Sequence, residues 1–322
     1  MQQLITDVEK LWTSNQTFEK TISGWINDIN KNMPEVQKAR KAFHEWKPLK
    51  VYTSVTKLKK ATPSFSVRLL GQEVAEIRVL KHGAVKLYIT EKPINHVASN
   101  KKYFGLTFNK DDFPVDWDSK EAKDFRNTFK FLQKKTTHSP EHQIETKIIE
   151  AMKNPPTKRG MPGIQPVLIV GCPLQVPLPV KACNGKPEPS NRGGNIDILA
   201  RRGRGRGTRL SVWELKKPGL STQALIKAIK QNLIYASSLV MMLRSSSGNA
   251  WYNLFEFGGS VPKELKVESV LTIALSDKTI FSNAISMFKQ RPPLSIKNDS
   301  IIPYVAYYDD RTYKVVSINQ IT

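Results

Sequence analysis

The sequence predicts an α/β fold of the α+β kind, in which a mixed β-sheet flanked by helices follows a smaller α+β region. Three observations carry that reading. The second half alternates short apolar runs with helical periodicity in the order α-β-β-β-α-β-α-β-β, which describes helices packed on a sheet. The first half changes from a 3-4 apolar spacing to a period of two near residue 51. With 322 residues, 39% of them hydrophobic and 9% aromatic, the chain has enough apolar side chains for one large domain or two ordinary ones. The division expected is 1–135 and 136–322, with the boundary in the polar stretch that runs from Lys134 to Pro140.

Taken in order, Leu4, Val8, Leu11 and Trp12, then Phe18, Ile22, Trp25, Ile26 and Ile29, mark helices up to about Trp46. Gly24 and Pro34 are expected to break them into two or three pieces. Phe65 to Leu69, Val74 to Val79 and Val85 to Ile89 read as short strands, with turns at Gly71-Gln72 and His82-Gly83. Phe125, Phe129 and Leu132 close the region with a helix.

A further helix starts at Ser139 or Pro140, with Ile144, Ile148, Ile149 and Met152 as its apolar face. Val167 to Val170 is a short buried strand, and the stretch from there to Gly194, rich in Pro, Gly and Asn, is expected to be irregular. Asn195 to Ala200 and Arg209 to Lys216 are two strands around a Gly/Arg turn, and Pro218-Gly219 ends the second. Ser221 caps a long helix to about Leu243. Val267–Ala274 is a strand, Thr279–Phe288 a helix, and Tyr304–Tyr308 and Tyr313–Ile318 two closing strands.

Charge narrows the function. Fifty Lys and Arg against 28 Asp and Glu leave a formal net charge of +22, a salt-sensitive field that attracts polyanions, nucleic acid first among them. No basic amphipathic helix with a bulky apolar face favours a membrane surface, and no apolar run is long enough to span one. Two cysteines make no disulfide framework, and the N-terminus lacks the pattern of a signal peptide, so a cytoplasmic protein is expected. The five histidines form no metal-like cluster, and no P-loop, nucleophile elbow or Rossmann fingerprint is present.

The pattern that carries chemistry is Asp197 followed, seventeen residues on, by Glu214-Leu215-Lys216. Side chains two apart on a strand share a face, so Glu214 and Lys216 point together and Asp197 on the neighbouring strand converges with Glu214. Paired carboxylates suit a hard cation, Mg²⁺ or Mn²⁺, with Lys216 placed to orient water or stabilise developing charge. Five E-x-K triplets occur, beginning at Glu45, Glu121, Glu145, Glu214 and Glu264. Only the fourth closes an apolar strand, follows an Asp-bearing strand and precedes a long helix.

Asn195-Ile196-Asp197 with Val212-Trp213-Glu214-Leu215-Lys216 resembles the D…(D/E)xK core of the PD-(D/E)xK nuclease superfamily, whose restriction-endonuclease-like fold has the order α-β-β-β-α-β. Ile196 stands where the superfamily's name has proline. The resemblance covers about residues 139–275 and implies a phosphodiester hydrolase leaving a 5′-phosphate and a 3′-hydroxyl. Asp197 and Glu214 would be metal ligands and Lys216 the catalytic lysine. Many members carry a glutamate on the preceding helix, a role that falls to Glu145 here, with Glu141 one turn before it. Gln231 and Tyr235 are similar to the Q-x-x-x-Y motif of the RecB-like branch, and Lys227, Gln231 and Tyr235 make one stripe on a helix suited to phosphate and sugar contacts.

The turn between the strands holds five arginines in nine residues, Arg201, Arg202, Arg204, Arg206 and Arg209, interleaved with three glycines. It is expected beside the metal as a phosphate clamp, with Lys217, Lys158 and Arg159 adding to the field. The function expected is therefore a Mg²⁺- or Mn²⁺-dependent nuclease, a DNA endonuclease ahead of an RNA nuclease, with a role in defence against foreign DNA by analogy. A nucleic-acid-binding platform of the same fold without turnover is the alternative. The N-terminal region would select the target, contact a protein partner or form a homodimer.

Overall fold

The computed structural model describes residues 1–42, 46–89, 112–132, 140–153, 161, 163–203, 205–288 and 294–321, apart from the side chains of residues 131, 132, 191, 192 and 206. The protein is a mixed α/β molecule. It divides into two compact units. One comprises Met1–Ile26, Ile144–Leu168 and Leu174–Thr322, the other Asn27–Gln143 and Ile169–Pro173. The boundary expected at 135/136 lies outside the described residues. Met1–Ile26 belongs to the same unit as Leu174–Thr322. No helix among the described residues is long and apolar enough to cross a membrane.

The chain opens with α1 (Gln2–Ser14) and α2 (Gln16–Lys38). Their break falls at Asn15, whose Oδ1 accepts the Thr17 N–H at 3.1 Å and the Thr17 hydroxyl at 2.6 Å. Gly24 and Pro34, expected to interrupt the helix, lie inside α2. Glycine costs a helix interior about 1 kcal/mol and proline about 3. Phe18, Ile22, Ile26, Ile29 and Val36 are all buried along α2, each worth about 1.5–3 kcal/mol, so the apolar face outweighs both breakers.

The unit that begins at Asn27 holds β1 (Lys50–Ser54), the short α3 (Val55–Leu58), β2 (Ser64–Leu69), β3 (Gln72–Val79), β4 (Val85–Ile89), β5 (Val115–Asp116) and α4 (Lys120–Thr128). The strands form an antiparallel run in the order β5-β4-β3-β2-β1. Phe65, Val67, Leu69, Ala75, Ile77 and Val79 are buried at the expected period of two. Both expected turns are present. Gly71 turns at φ +83°, where a side chain would be strained and its Cβ would run into His142.

The larger unit takes in, apart from residues 140–143 and 169–173, α5 (Pro140–Lys153), β6 (Ile164–Pro166), β7 (Leu168–Ile169), β8 (Cys172–Cys183), β9 (Lys186–Ile196), β10 (Ile198–Arg202), β11 (Arg209–Leu215), α6 (Thr222–Leu243), α7 (Gly248–Leu254), β12 (Lys266–Ala274), α8 (Lys278–Ser286), β13 (Leu294–Ile296), β14 (Asp299–Tyr308) and β15 (Val315–Gln320). Its sheet has the order β13-β14-β12-β11-β10-β6, with β15 also on β14. β10 is antiparallel to β6 and β11, whereas β11, β12 and β14 run parallel. Parallel neighbours need a crossover, and α6 supplies the one between β11 and β12. α6 packs on β11, β12 and β14, and α1 packs on α6, β9 and β13. β11 and β12 are buried on both faces, as strands of a covered parallel sheet are.

The stretch up to Gly194, expected to be irregular, is instead the long β8–β9 hairpin. Leu174, Val176, Leu178 and Val180 alternate in it and are all buried. Asn184 and Gly185 turn its tip with φ of 49° and 76°, the left-handed pair that a two-residue hairpin turn requires. The prolines at 173, 177, 179, 187 and 189 all lie within β8 and β9.

Candidate active site

Asp197 is the single residue between β9 and β10. The strand before it pairs with β8 and the strand after it with β6 and β11, so Asp197 stands where one long strand bends from one pairing to another. Its Oδ2 accepts the Leu215 N–H at 2.8 Å, which ties the bend to the end of β11. The β10–β11 register sets Ile198 opposite Trp213. The next step of the hairpin brings Asp197 abreast of Glu214.

Glu214 is buried at 1% exposure. Lys216 Nζ lies at 2.5 Å from its Oε1, so the two side chains share a face as the strand period requires. The backbone around Lys216 is fixed from three sides. Its N–H donates to the Thr272 carbonyl at 3.0 Å, the Tyr308 hydroxyl donates to its carbonyl at 2.7 Å, and the Gly219 N–H donates to the Asp277 carboxylate at 3.2 and 3.3 Å. Asp277 is 3% exposed, and burial raises its pKa, opposed by the hydrogen bonds from Leu220 and Gly219.

Glu145 lies on α5 with its carboxylate buried, and Gln175 Nε2 donates to its Oε1 at 3.4 Å. Gln175 is one residue beyond the Val176–Ile196 pair of the hairpin, level with Asp197. The hairpin thus links the α5 glutamate to the aspartate bend. Gln175, Tyr308 and Asp277 are contacts that sequence reasoning does not find. Only Gln175 has a signal, the alternation of apolar residues on either side of it.

Tyr235 is buried on α6. A Cβ placed on Gly194 would stand 2.5 Å from its Cε1 and 2.6 Å from its hydroxyl, so the ring lies flush against the backbone three residues before Asp197. Burial raises the Tyr235 pKa, as do the charges of Glu214 and Asp197, while hydrogen bonds from the Ala182 backbone and the Gln231 side chain oppose the shift. The Gln231/Tyr235 pair therefore adjoins the two carboxylates. Lys227 and Lys217 are exposed, one on α6 two turns before Tyr235 and one directly after Lys216.

The arginine turn is a correction. The register runs from Ile198–Trp213 to Arg202–Arg209, so the turn is at the opposite end of the hairpin, about 17 Å along the strands from Glu214. Arg201 pairs with Glu256 at 3.1 Å. Arg202 pairs with buried Glu268 at 3.3 Å and lies over the Tyr304 ring at 4.7 Å. Arg209 opens β11 and helps counter the burial that raises the Glu268 pKa. Arg204 and the side chain of Arg206 lie outside the described residues, as do Lys158 and Arg159.

Among the described residues no group of three or more His, Cys, Asp and Glu side chains stands close enough to hold a metal ion. Glu145 is therefore not gathered with Asp197 and Glu214 into the three-carboxylate set expected. Two carboxylates on adjacent strands still match the needs of Mg²⁺, which is commonly held by one or two carboxylates together with substrate phosphate. No known protein family, curated protein or solved structure matches the chain.

Proposed function

We propose that this protein is a divalent-metal-dependent nuclease. The observation that carries the reading is the convergence of Asp197, Glu214 and Lys216 at the junction of β9, β10 and β11, beside Tyr235. The chain order α5, β6, β10, β11, α6, β12 follows the α-β-β-β-α-β order of the PD-(D/E)xK core, with β7 and the β8–β9 hairpin inserted before β10 and α7 before β12. The net charge of +22 favours a polyanionic substrate.

Asp197 and Glu214 would hold Mg²⁺ or Mn²⁺. The cation, when bound, supplies Lewis-acid chemistry to water and phosphate. Lys216 holds a positive charge beside Glu214, where it orients water by hydrogen bonding and offsets the charge that develops on a phosphoryl oxygen. Tyr235 and the surrounding apolar residues exclude bulk water from the carboxylates and strengthen those interactions. Glu145, held by Gln175, adds negative charge on the α5 side.

The test is cleavage of supercoiled, linear and single-stranded DNA and of RNA by the purified protein in Mg²⁺, Mn²⁺ or EDTA, with Glu214→Ala in parallel. Metal-dependent cleavage that disappears in the variant supports the reading, and the preferred substrate decides DNA against RNA. Binding without cleavage in any metal favours the platform alternative.

A further inference from the structure

The arginine turn leaves open which cations face the substrate, since its described arginines stand at the far end of β10–β11 and two of them are paired with Glu256 and Glu268. The elements that do adjoin the carboxylates are the β9 end of the β8–β9 hairpin and α6 at Tyr235. Tyr235 joins them, its ring lying against Gly194. Five residues earlier on α6, a Cβ on Gly185 at the hairpin tip would stand 2.7 Å from Lys230 Cδ. The hairpin therefore lies along α6 from the carboxylate end to its own tip.

The charges on this pair of elements are one-sided. Lys181 and Lys186 are exposed near the hairpin tip, Lys227 is exposed on α6, and Lys230 is half-buried beside Gly185. Lys217 is exposed at the turn that leads from Lys216 into α6. Among the described side chains of the two elements the only acidic one is Glu188, 3.6 Å from Lys181 with both side chains about half exposed. α6 carries no acidic residue at all. Lysine ammonium groups are point charges on flexible stems, suited to phosphates and poorly suited to reading bases.

We propose that the β8–β9 hairpin and the exposed face of α6 form the nucleic-acid-binding arm of this protein, gripping the phosphate backbone through Lys181, Lys186 and Lys227 without regard to sequence. The inference rests on the nuclease reading for the place of the scissile phosphate, but its test reads binding alone. Fluorescently labelled duplex DNA is titrated with the full chain in EDTA across a salt series. Removing one lysine–phosphate interaction lowers the slope of log K against log salt by about 0.9. Lys181→Gln with Lys186→Gln is expected to lower the slope by about 1.8, so the variant loses about tenfold less affinity than the parent between 50 and 200 mM salt. Lys263→Gln with Lys266→Gln, which removes the same charge at the far end of the sheet, is expected to leave the slope within about 0.5 of the parent.

An unchanged slope in the hairpin pair, a larger drop in the far-end pair, or no binding of the parent protein at any salt overturns the proposal. Cleavage separates the two readings. Metal-dependent cleavage with an unchanged hairpin slope removes the arm and keeps the nuclease, whereas the expected slope change with no cleavage keeps the arm and removes the nuclease.

Discussion

The tight fit of Tyr235 against Gly194 in the larger unit gives a prediction whose sign alone is informative. Gly194→Ala places a methyl group 2.5 Å from Cε1, 2.6 Å from the hydroxyl and 2.7 Å from Cζ of Tyr235. Carbon atoms rest at about 3.5–4.0 Å, so ring and backbone must separate by about 1 Å. The ring has little room to do so, because it is buried on α6. Overpacking of this kind costs about 1–3 kcal/mol. Without the tyrosine, Gly→Ala at this non-positive φ would instead stabilise by about 0.4–1 kcal/mol through the unfolded chain. The assay is urea unfolding of the parent, both single variants and the Gly194→Ala/Tyr235→Ala double variant. Gly194→Ala should destabilise the parent and be neutral or stabilising in the Tyr235→Ala background, giving a coupling of about 1–3 kcal/mol. A stabilised Gly194→Ala single variant, or an equal penalty in both backgrounds, would refute the packing of α6 on β9 described above.

Other outcomes follow from the same contacts. Burial holds the Glu268 pKa above its unfolded value despite Arg202 and Arg209, so the folded state binds the extra proton and stability falls as pH rises from the unfolded pKa through the folded one. Glu268→Gln should remove that decline, and the melting temperature difference between variant and parent should grow more positive from pH 4 to pH 7; a difference independent of pH would contradict it. Tyr308→Phe deletes the hydroxyl that donates to the Lys216 carbonyl. It should cost about 1 kcal/mol in denaturant unfolding and lower kcat with little change in KM, because the substrate-binding surface is untouched.

Much of the larger unit is legible in the sequence because its elements are long or strongly patterned. Ser221 caps α6 through its Oγ to the Ala224 N–H, and the uninterrupted apolar run of β12 suits a covered strand. Asp197, Glu214 and Lys216 are legible because strand periodicity fixes which side chains share a face. The β8–β9 hairpin is not, because five prolines mask an alternation that Leu174, Val176, Leu178 and Val180 keep, and because Asn184-Gly185 sits among residues whose composition suits a loop equally well. The arginine turn lies at the other end from the one expected for a different reason. Closeness in sequence to both strands suggests closeness to their carboxylates, yet in an antiparallel hairpin the turn and the open end lie a full strand apart. Gly24 and Pro34 carry local penalties that the buried face of α2 exceeds.

The most direct test of the nuclease account is the cleavage rate of Asp197→Asn measured alongside its melting temperature. Asparagine keeps an oxygen to accept the Leu215 N–H, so the bend between β9 and β10 should persist and the melting temperature should stay within a few degrees of the parent. Removal of a charged metal ligand should lower Mg²⁺-dependent cleavage by at least about 100-fold. Cleavage at the parent rate in a folded Asp197→Asn protein would contradict the account, and the Asp197, Glu214 and Lys216 cluster would then be a structural ion pair at a strand junction.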